Sequence, residues 1–240
     1  MHEPNASITA APQPIKDSGV AAVFDVDRTL VAQTTTERIF IRYLLRHGVI
    51  NPLGVARTGL HILSRLPQSS PFDTVRHNRV FMRGIKAARA KELARLIFAT
   101  HILPLVGPEA IRQVDWHHAQ GHAVILLSGS LDFLLEPLRE KLKADYLIST
   151  HLEEDGRGLL TGRIVGLHPY GPHKATLLKE LVAERGFDLS QSYAYADHYS
   201  DVELLSLFGH PVAVNPHPRL REYAAAHGWP IKHFPLGEQS

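Results

Sequence analysis

The chain has no cysteine, so disulfides and thiolate metal sites are both excluded. No apolar run approaches the ~20 residues that a membrane-spanning helix needs. Neither sign of charge is in excess. The 26 Lys and Arg against 24 Asp and Glu leave a net charge of +2, which argues against a nucleic-acid partner. Residues 1–19 lack the apolar stretch of a signal peptide. Rich in Pro, Asn, Ser and Ala, they read as a disordered N-terminal tail, and a cytoplasmic location is the default expectation. Repeats and low-complexity segments are also missing. What remains is an ordinary hydrophobic content of 44% over 240 residues, enough for one large domain or a core with an insert. The sixteen histidines make the chain more cationic below about pH 6.5, an effect on solubility. Composition leaves the oligomeric state open.

One stretch organises the rest. The apolar, β-branched run from Val20 to Phe24 has the pattern of a buried parallel strand and leads into Asp25 and Asp27. Ligands of open α/β sheets collect at the carboxyl ends of strands, so both aspartates fall at the mouth of a potential site. Two carboxylates this close repel unless a cation or a proton lies between them. Magnesium suits such a place, because it takes oxygen ligands and keeps several waters. A solvated strand-end loop is the competing reading of these residues alone.

From 32 to 103 the pattern is helical throughout, with no strand signal. A capping box at Thr34-x-x-Glu37 opens a first helix. Asn51-Pro52 opens a second, running to about Leu66, and further helices are expected over about Phe72 to Ile85 and Ala87 to Ile102. From Gly107 strands and helices alternate. Strands are expected at His122–Ser128, Asp145–Thr150, Ser192–Ala196 and Pro211–Asn215, with a hairpin around Glu154–Gly158. Ser130 is expected to cap the helix that begins at Leu131. Such alternation predicts an α/β fold, a Rossmann-like parallel sheet with helices on both faces. The core would comprise 20–31 and 104–240, and 32–103 would be an inserted all-helical cap.

Four groups fall at or just past strand ends: Asp25 with Asp27, Ser128, Lys174 before its helix, and Asp197 with Asp201. Each alone is ordinary, as a helix cap, a solvated lysine or an acid favoured at a helix N-terminus. Their order and spacing together resemble the haloacid dehalogenase-like phosphohydrolases. Asp25-Val-Asp-Arg-Thr29 is similar to that superfamily's first motif and Leu126-Leu-Ser-Gly-Ser130 to its second. Lys174 is similar to the third, and Asp197-His-Tyr-Ser-Asp201 to the fourth. A helical insert between the first two motifs resembles the C1 cap of the phosphoserine phosphatase-like branch. Ser128–Leu134 and Gly209–Pro216 resemble its bacterial subfamily IB members.

That resemblance implies a magnesium-dependent phosphomonoester hydrolase acting on a small-molecule phosphate ester. It implies Asp25 as the nucleophile, forming an aspartyl-phosphate, and Asp27 as the acid and base. Mg2+ would be held by Asp25, the carbonyl of Asp27, and Asp197. Ser128 and the Gly129 N–H would bind phosphoryl oxygens, Lys174 would hold Asp25 and the phosphate, and Asp201 would orient metal waters. Arg28 stands where the superfamily commonly has Gly, and Ala196 and His198 depart slightly from the fourth motif. The acid that reads phosphoserine's amine has no counterpart near Thr34, the nearest acid being Glu37. Glu37, Arg79 and Arg83 are the candidate substrate readers. Phosphoserine, histidinol phosphate and a lipid-headgroup phosphate all stay open as substrates. Phosphotransfer to an alcohol and an inactive phosphate-binding module are the alternative functions. His117, His118 and His122 lack zinc-site spacing and read as solvated or helix-end histidines, and Gly166–Lys174 lacks the Gly-Lys-Ser/Thr adjacency of a P-loop.

Overall fold

The computed structural model describes residues 8–10, 18–50 and 79–236. Its centre is β2 (Ala21–Asp25), every residue of which is buried. Parallel strands flank it on both sides: β3 (Ala123–Leu131) on one and β6 (Tyr193–Ala196) on the other. Beyond β3 lies β4 (Tyr146–Glu154), and beyond β6 lie β7 (His210–Val214) and β8 (Ile231–Lys232), all parallel. The chain therefore builds outward from β2 in one direction, returns, and builds outward in the other. The place where it reverses, between β2 and β6, is where ligand crevices open in doubly wound sheets.

Alternation along β2 sends its side chains to two cores. Ala22 and Phe24 face α3 (Pro108–Ala119) and α4 (Asp132–Leu142). Ala21 and Val23 face α5 (Pro172–Arg185), α6 (Val202–Leu205) and α7 (Pro218–Ala226). The expected parallel sheet with helices on both faces is thus observed.

One element departs from expectation at the sheet's edge, while the expected hairpin forms. Ile8–Ala10, expected in the disordered tail, forms β1 and pairs antiparallel with β4. The hairpin is formed by β4 and β5 (Leu160–Val165).

Within 32–103 the described helices are α1 (Thr36–Arg46) and α2 (Ala87–Ile97), the latter followed by a π turn over Phe98–Ile102. The side chain that caps α1 belongs to Thr35, which accepts from Arg38 N–H; the capping box at Thr34 does not form. The second expected helix lies outside the described residues, as do 71–78. The end of the third is not helical: Val80–Met82 is a single 3-10 turn. It docks on β5 through Arg79 N–H to Gly162 O (2.8 Å) and Gly84 N–H to Leu160 O (2.8 Å). Gly162 permits this approach, since a Cβ there would stand 2.9 Å from Val80 Cα. The two ends of the segment meet, with Ala32 N–H donating to Leu105 O (2.9 Å) and Val31 bridging Val106.

Candidate active site

Asp25 is the last residue of β2, and the chain then turns sharply. Leu30 and Val31 N–H both return to Val26 O, at 3.0 and 2.9 Å. Arg28 adopts φ 67° in this turn, the left-handed region that glycine usually fills. The turn brings Thr29 Oγ1 back to donate to Asp25 Oδ2 at 2.9 Å. The other oxygen, Asp25 Oδ1, accepts from Lys174 Nζ at 2.6 Å. Lys174 enters from the first turn of α5 and also donates to Asp201 Oδ2 at 2.9 Å. All three groups are buried, so this is a desolvated acid–ammonium–acid bridge.

Asp27 is turned the other way. Its Oδ1 accepts from the backbone N–H of Thr36, in the first turn of α1, at 2.6 Å. Its Oδ2 accepts from Ser128 Oγ (3.0 Å) and Ser130 Oγ (2.6 Å). Ser130 was expected to cap α4, but β3 continues to Leu131 and Ser130 lies inside it. Residues two apart on a strand share a face, so both hydroxyls reach one carboxylate. The Ser-Gly-Ser alternation was the signal for this second serine. Gly129 between them is anchored by Thr150 Oγ1, which donates to its carbonyl at 2.7 Å and contacts His168 Nδ1 at 2.7 Å. A Cβ on Gly129 would sit 3.2 Å from the His168 ring.

Asp197 follows β6 directly and is 6% exposed. Its carbonyl accepts from His217 N–H at 2.9 Å. Burial, then the charges of Asp25 and Asp201, push its carboxyl up to about 7 against the pull of Arg28 and Lys174. Burial likewise pushes Asp25 up to about 6, with Lys174 opposing and Asp201 and Asp27 adding to the rise. Burial by itself would lower Lys174; Asp201 and Asp25 outweigh it, and the ammonium is held above its ordinary range.

The donors present fit a hard divalent cation. Four carboxylates (Asp25, Asp27, Asp197, Asp201) face two cations (Lys174, Arg28), an excess of negative charge that the raised carboxyls express. Asp201 Oδ1 is buried and has no hydrogen-bond partner among the described residues. Among the described residues no three Asp, Glu or His side chains are arranged to hold a metal by themselves. Two carboxylates, the Asp27 carbonyl and waters are the set that a magnesium ion accepts.

The substrate-reader candidates separate. Glu37 Oε1 pairs with Arg79 Nε at 2.8 Å, the two side chains being 19% and 10% exposed. Burial raises Glu37, Arg79 pulls it down, and Asp27 adds to the rise, so the pair lies within electrostatic reach of Asp27. Arg83 is exposed, and its side chain makes no hydrogen bond or ion pair with a described residue. His117 is not solvated: it is fully buried, with Nε2 2.8 Å from Tyr195 OH and Nδ1 2.9 Å from His122 Nδ1.

Residues 22–206 match the family model described as haloacid dehalogenase-like hydrolase. Similar proteins include the inhibition of morphological differentiation protein of Streptomyces azureus, 35% identical over 89% of this chain and 78% of that one. The histidinol-phosphatase of Neisseria meningitidis serogroup C (strain 8013) is 28% identical over 89% of this chain and 98% of its own. The phosphoserine phosphatase SerB1 of Mycobacterium tuberculosis (strain ATCC 25618 / H37Rv) is 29% identical over 100% and 79%. Among solved structures, a protein of unknown function from Bordetella pertussis Tohama I superposes with a TM-score of 0.76, at 25% identity over 88% of this chain and 97% of that one. A phospho-aspartyl intermediate analogue of phosphoserine phosphatase gives 0.61 at 19% identity over 90% and 94%, a likeness of fold.

Proposed function

The chain belongs to the haloacid dehalogenase-like hydrolase family, and we propose that it is a magnesium-dependent phosphomonoesterase working through an aspartyl-phosphate on Asp25. It is a phosphatase of the type to which phosphoserine phosphatases and histidinol-phosphatase belong. The observation that carries the finer reading is the Lys174 bridge between Asp25 and Asp201, set beside an Asp27 held by two serines.

Each role follows from that geometry. Asp25 is a carboxylate and needs no base to become a nucleophile. Thr29 and Lys174 each hold one of its oxygens, which fixes the direction of attack on phosphorus. Asp27, oriented by Thr36 N–H and the two serines, donates a proton to the departing alcohol oxygen. The resulting carboxylate then takes a proton from the water that attacks the acyl phosphate, returning Asp25 and releasing inorganic phosphate. The Gly129 backbone N–H offers a hydrogen bond to a phosphoryl oxygen, Ser128 offers a second by turning its one hydroxyl proton away from Asp27, which Ser130 still holds, and the Lys174 ammonium offsets their charge. Asp25, the Asp27 carbonyl and Asp197 would hold Mg2+, with Asp201 orienting its waters; the ion supplies Lewis-acid polarisation of the phosphoryl oxygens.

We place the alcohol part of the substrate on the Asp27 side, where Glu37 and Arg79 stand. The 32–103 segment is read as the cap, a reading supported by the meeting of its two ends at Ala32 and Leu105. Phosphoserine and histidinol phosphate, the substrates in the relatives' names, are both phosphate esters of small 2-amino alcohols. An ester of that class, its amine toward the Glu37 carboxylate, is the substrate we propose.

The test is release of inorganic phosphate from p-nitrophenyl phosphate, then from phosphoserine, histidinol phosphate and a lipid-headgroup phosphate. Wild type should turn over with magnesium and stop reversibly on chelation, and Asp25→Asn should be inactive. Turnover retained by Asp25→Asn would overturn the mechanism. Nitrophenol release that needs an added alcohol acceptor, with no matching inorganic phosphate, would make the protein a phosphotransferase. Ester binding without turnover would make it a binding module.

A further inference from the structure

The outer face of α1 carries a second cluster of charge that the hydrolase mechanism does not use. Arg38, Arg42 and Arg46 recur every four residues, so they form one stripe along the helix. With Thr34, Ile39, Tyr43, His47, His101 and Leu105 they line a cavity of about 570 Å³, within the range of small-molecule sites. The Tyr43 ring stacks 4.1 Å from His47 and meets His101 edge-on at 5.8 Å, giving the cavity an aromatic floor.

The three guanidinium groups differ from other arginines on this surface. Arg89, Arg112 and Arg139 each pair with a glutamate three residues away, and Arg163 pairs with Glu153. The side chains of Arg38, Arg42 and Arg46 make no hydrogen bond or ion pair with a described residue. The one acid on their helix, Glu37, is turned to Arg79. Like charges spaced four apart destabilise a helix, and Arg38 in the first turn also opposes the helix dipole. In a chain whose net charge is only +2, this is a local concentration of charge and not general basicity.

We propose that this groove binds a small soluble anion bearing two or more phosphate groups. Guanidinium forks match phosphate oxygens two at a time. From Arg38 to Arg46 the helix rises roughly 12 Å, more than a single phosphate spans. A half-open groove of this volume, with the Tyr43 and histidine rings along it, suits a small molecule in free solution. The site stands apart from the proposed hydrolytic one and does not depend on that function.

The probe is inorganic tripolyphosphate, titrated calorimetrically into the full chain without magnesium. Saturating orthophosphate occupies the Ser128–Lys174 region during the titration. Wild type should bind tripolyphosphate, and Arg42→Gln/Arg46→Gln should bind at least tenfold more weakly. That variant should melt no lower than wild type, since it sheds two like-charge contacts, and should keep its p-nitrophenyl phosphate turnover. Arg42→Lys/Arg46→Lys, which keeps charge but not the fork, should fall between the two. Equal binding by wild type and the Gln variant would overturn the proposal, as would loss of binding under orthophosphate. Binding to vesicles containing phosphatidylinositol bisphosphate, with none to tripolyphosphate, would also overturn it.

Discussion

Removing the charge of Asp197 should make the metal-free protein more stable. Its carboxyl, ordinarily near 3.8, is pushed up to about 7 because it is buried among other acids. Between those two values the folded state binds a proton that the unfolded state has lost, so stability is fully present below about pH 4 and is lost as pH rises through 7. At about 1.36 kcal/mol for each tenfold change, keeping this group ionised at pH 8 costs roughly 4 kcal/mol. That figure is a ceiling, because Asp25 and Asp201 supply part of the repulsion and relax when one charge is withdrawn. Asp197→Asn keeps the shape and removes the cost. For a chain of this size, 1 kcal/mol moves the melting temperature by about 2–4 °C, so a gain of about 5–10 °C is expected in chelator at pH 8. At pH 5, still above the unfolded value, about 1.6 kcal/mol of the cost remains, so the gap should shrink to less than half. Magnesium should raise the wild-type melting temperature and leave the variant unmoved. Calorimetric scans at the two pH values, with chelator and with magnesium, measure all of this. A variant less stable than wild type at pH 8, or an advantage at pH 5 as large as that at pH 8, would refute the electrostatic argument.

Three further outcomes follow. In single-turnover release of the alcohol, Asp27→Asn should slow an alkyl phosphate by about 10²–10⁴-fold and p-nitrophenyl phosphate far less, since nitrophenolate leaves without a proton; equal losses in that step would deny Asp27 the role of acid. Burial, with His122, Lys232 and His118 adding to it, holds the His117 imidazole down at about 3, so its contribution is fully present above about pH 6.5 and is lost as pH falls toward 3. Acid unfolding followed by circular dichroism in the Asp197→Asn background, where the opposing carboxyl is gone, should be steeper with His117 than with His117→Gln. Gly162→Ala should destabilise by about 1–3 kcal/mol, because φ is +82° there and the new Cβ would meet Val80 Cα at 2.9 Å; urea melts check it, and unchanged stability would mean the Arg79 turn moves freely.

The sheet was legible because its central strands are short, unbroken apolar runs, and the acids were legible because they end those runs. What escaped depended on partners distant in sequence. Ile8–Ala10 has nothing strand-like about its neighbours; it is a strand because β4 offers an open edge to pair with. Val80–Ile85 carries an apolar pattern that suits a helix, yet it makes only a 3-10 turn, and Gly84 N–H and Ile85 O are taken by Leu160 of β5, some 80 residues on. Ser130 lies where a helix cap belongs, and only the length of β3 assigns its hydroxyl to Asp27. His117 sits near the end of a helix, where imidazoles are usually wet; the Phe24, Tyr193 and Tyr195 rings that enclose it come from other strands.

Arg28 is the residue at which sequence and geometry pull hardest against each other. Arg28, Gln33 and Asn215 are three of the non-glycine residues with positive φ, at 67°, 68° and 45°, and all three line the wall of one cavity beside Asp197. Such conformations cost of order 1–3 kcal/mol each and persist only where the surroundings enforce them. Here the enforcement is visible: Arg28 N–H donates to Val31 O at 2.7 Å, and Asn215 Nδ2 reaches Arg28 O at 3.4 Å. Asn215 is itself fixed by Phe234 N–H on its Oδ1 at 3.0 Å. The turn has to be this tight, because Asp25 and Asp27 must send carboxylates in opposite directions from positions two residues apart. Glycine would make the turn at less conformational cost but would bring no charge. The guanidinium of Arg28 pulls Asp197 down toward ionisation, so the strained backbone supports the charged form of the acid that the proposed metal site requires.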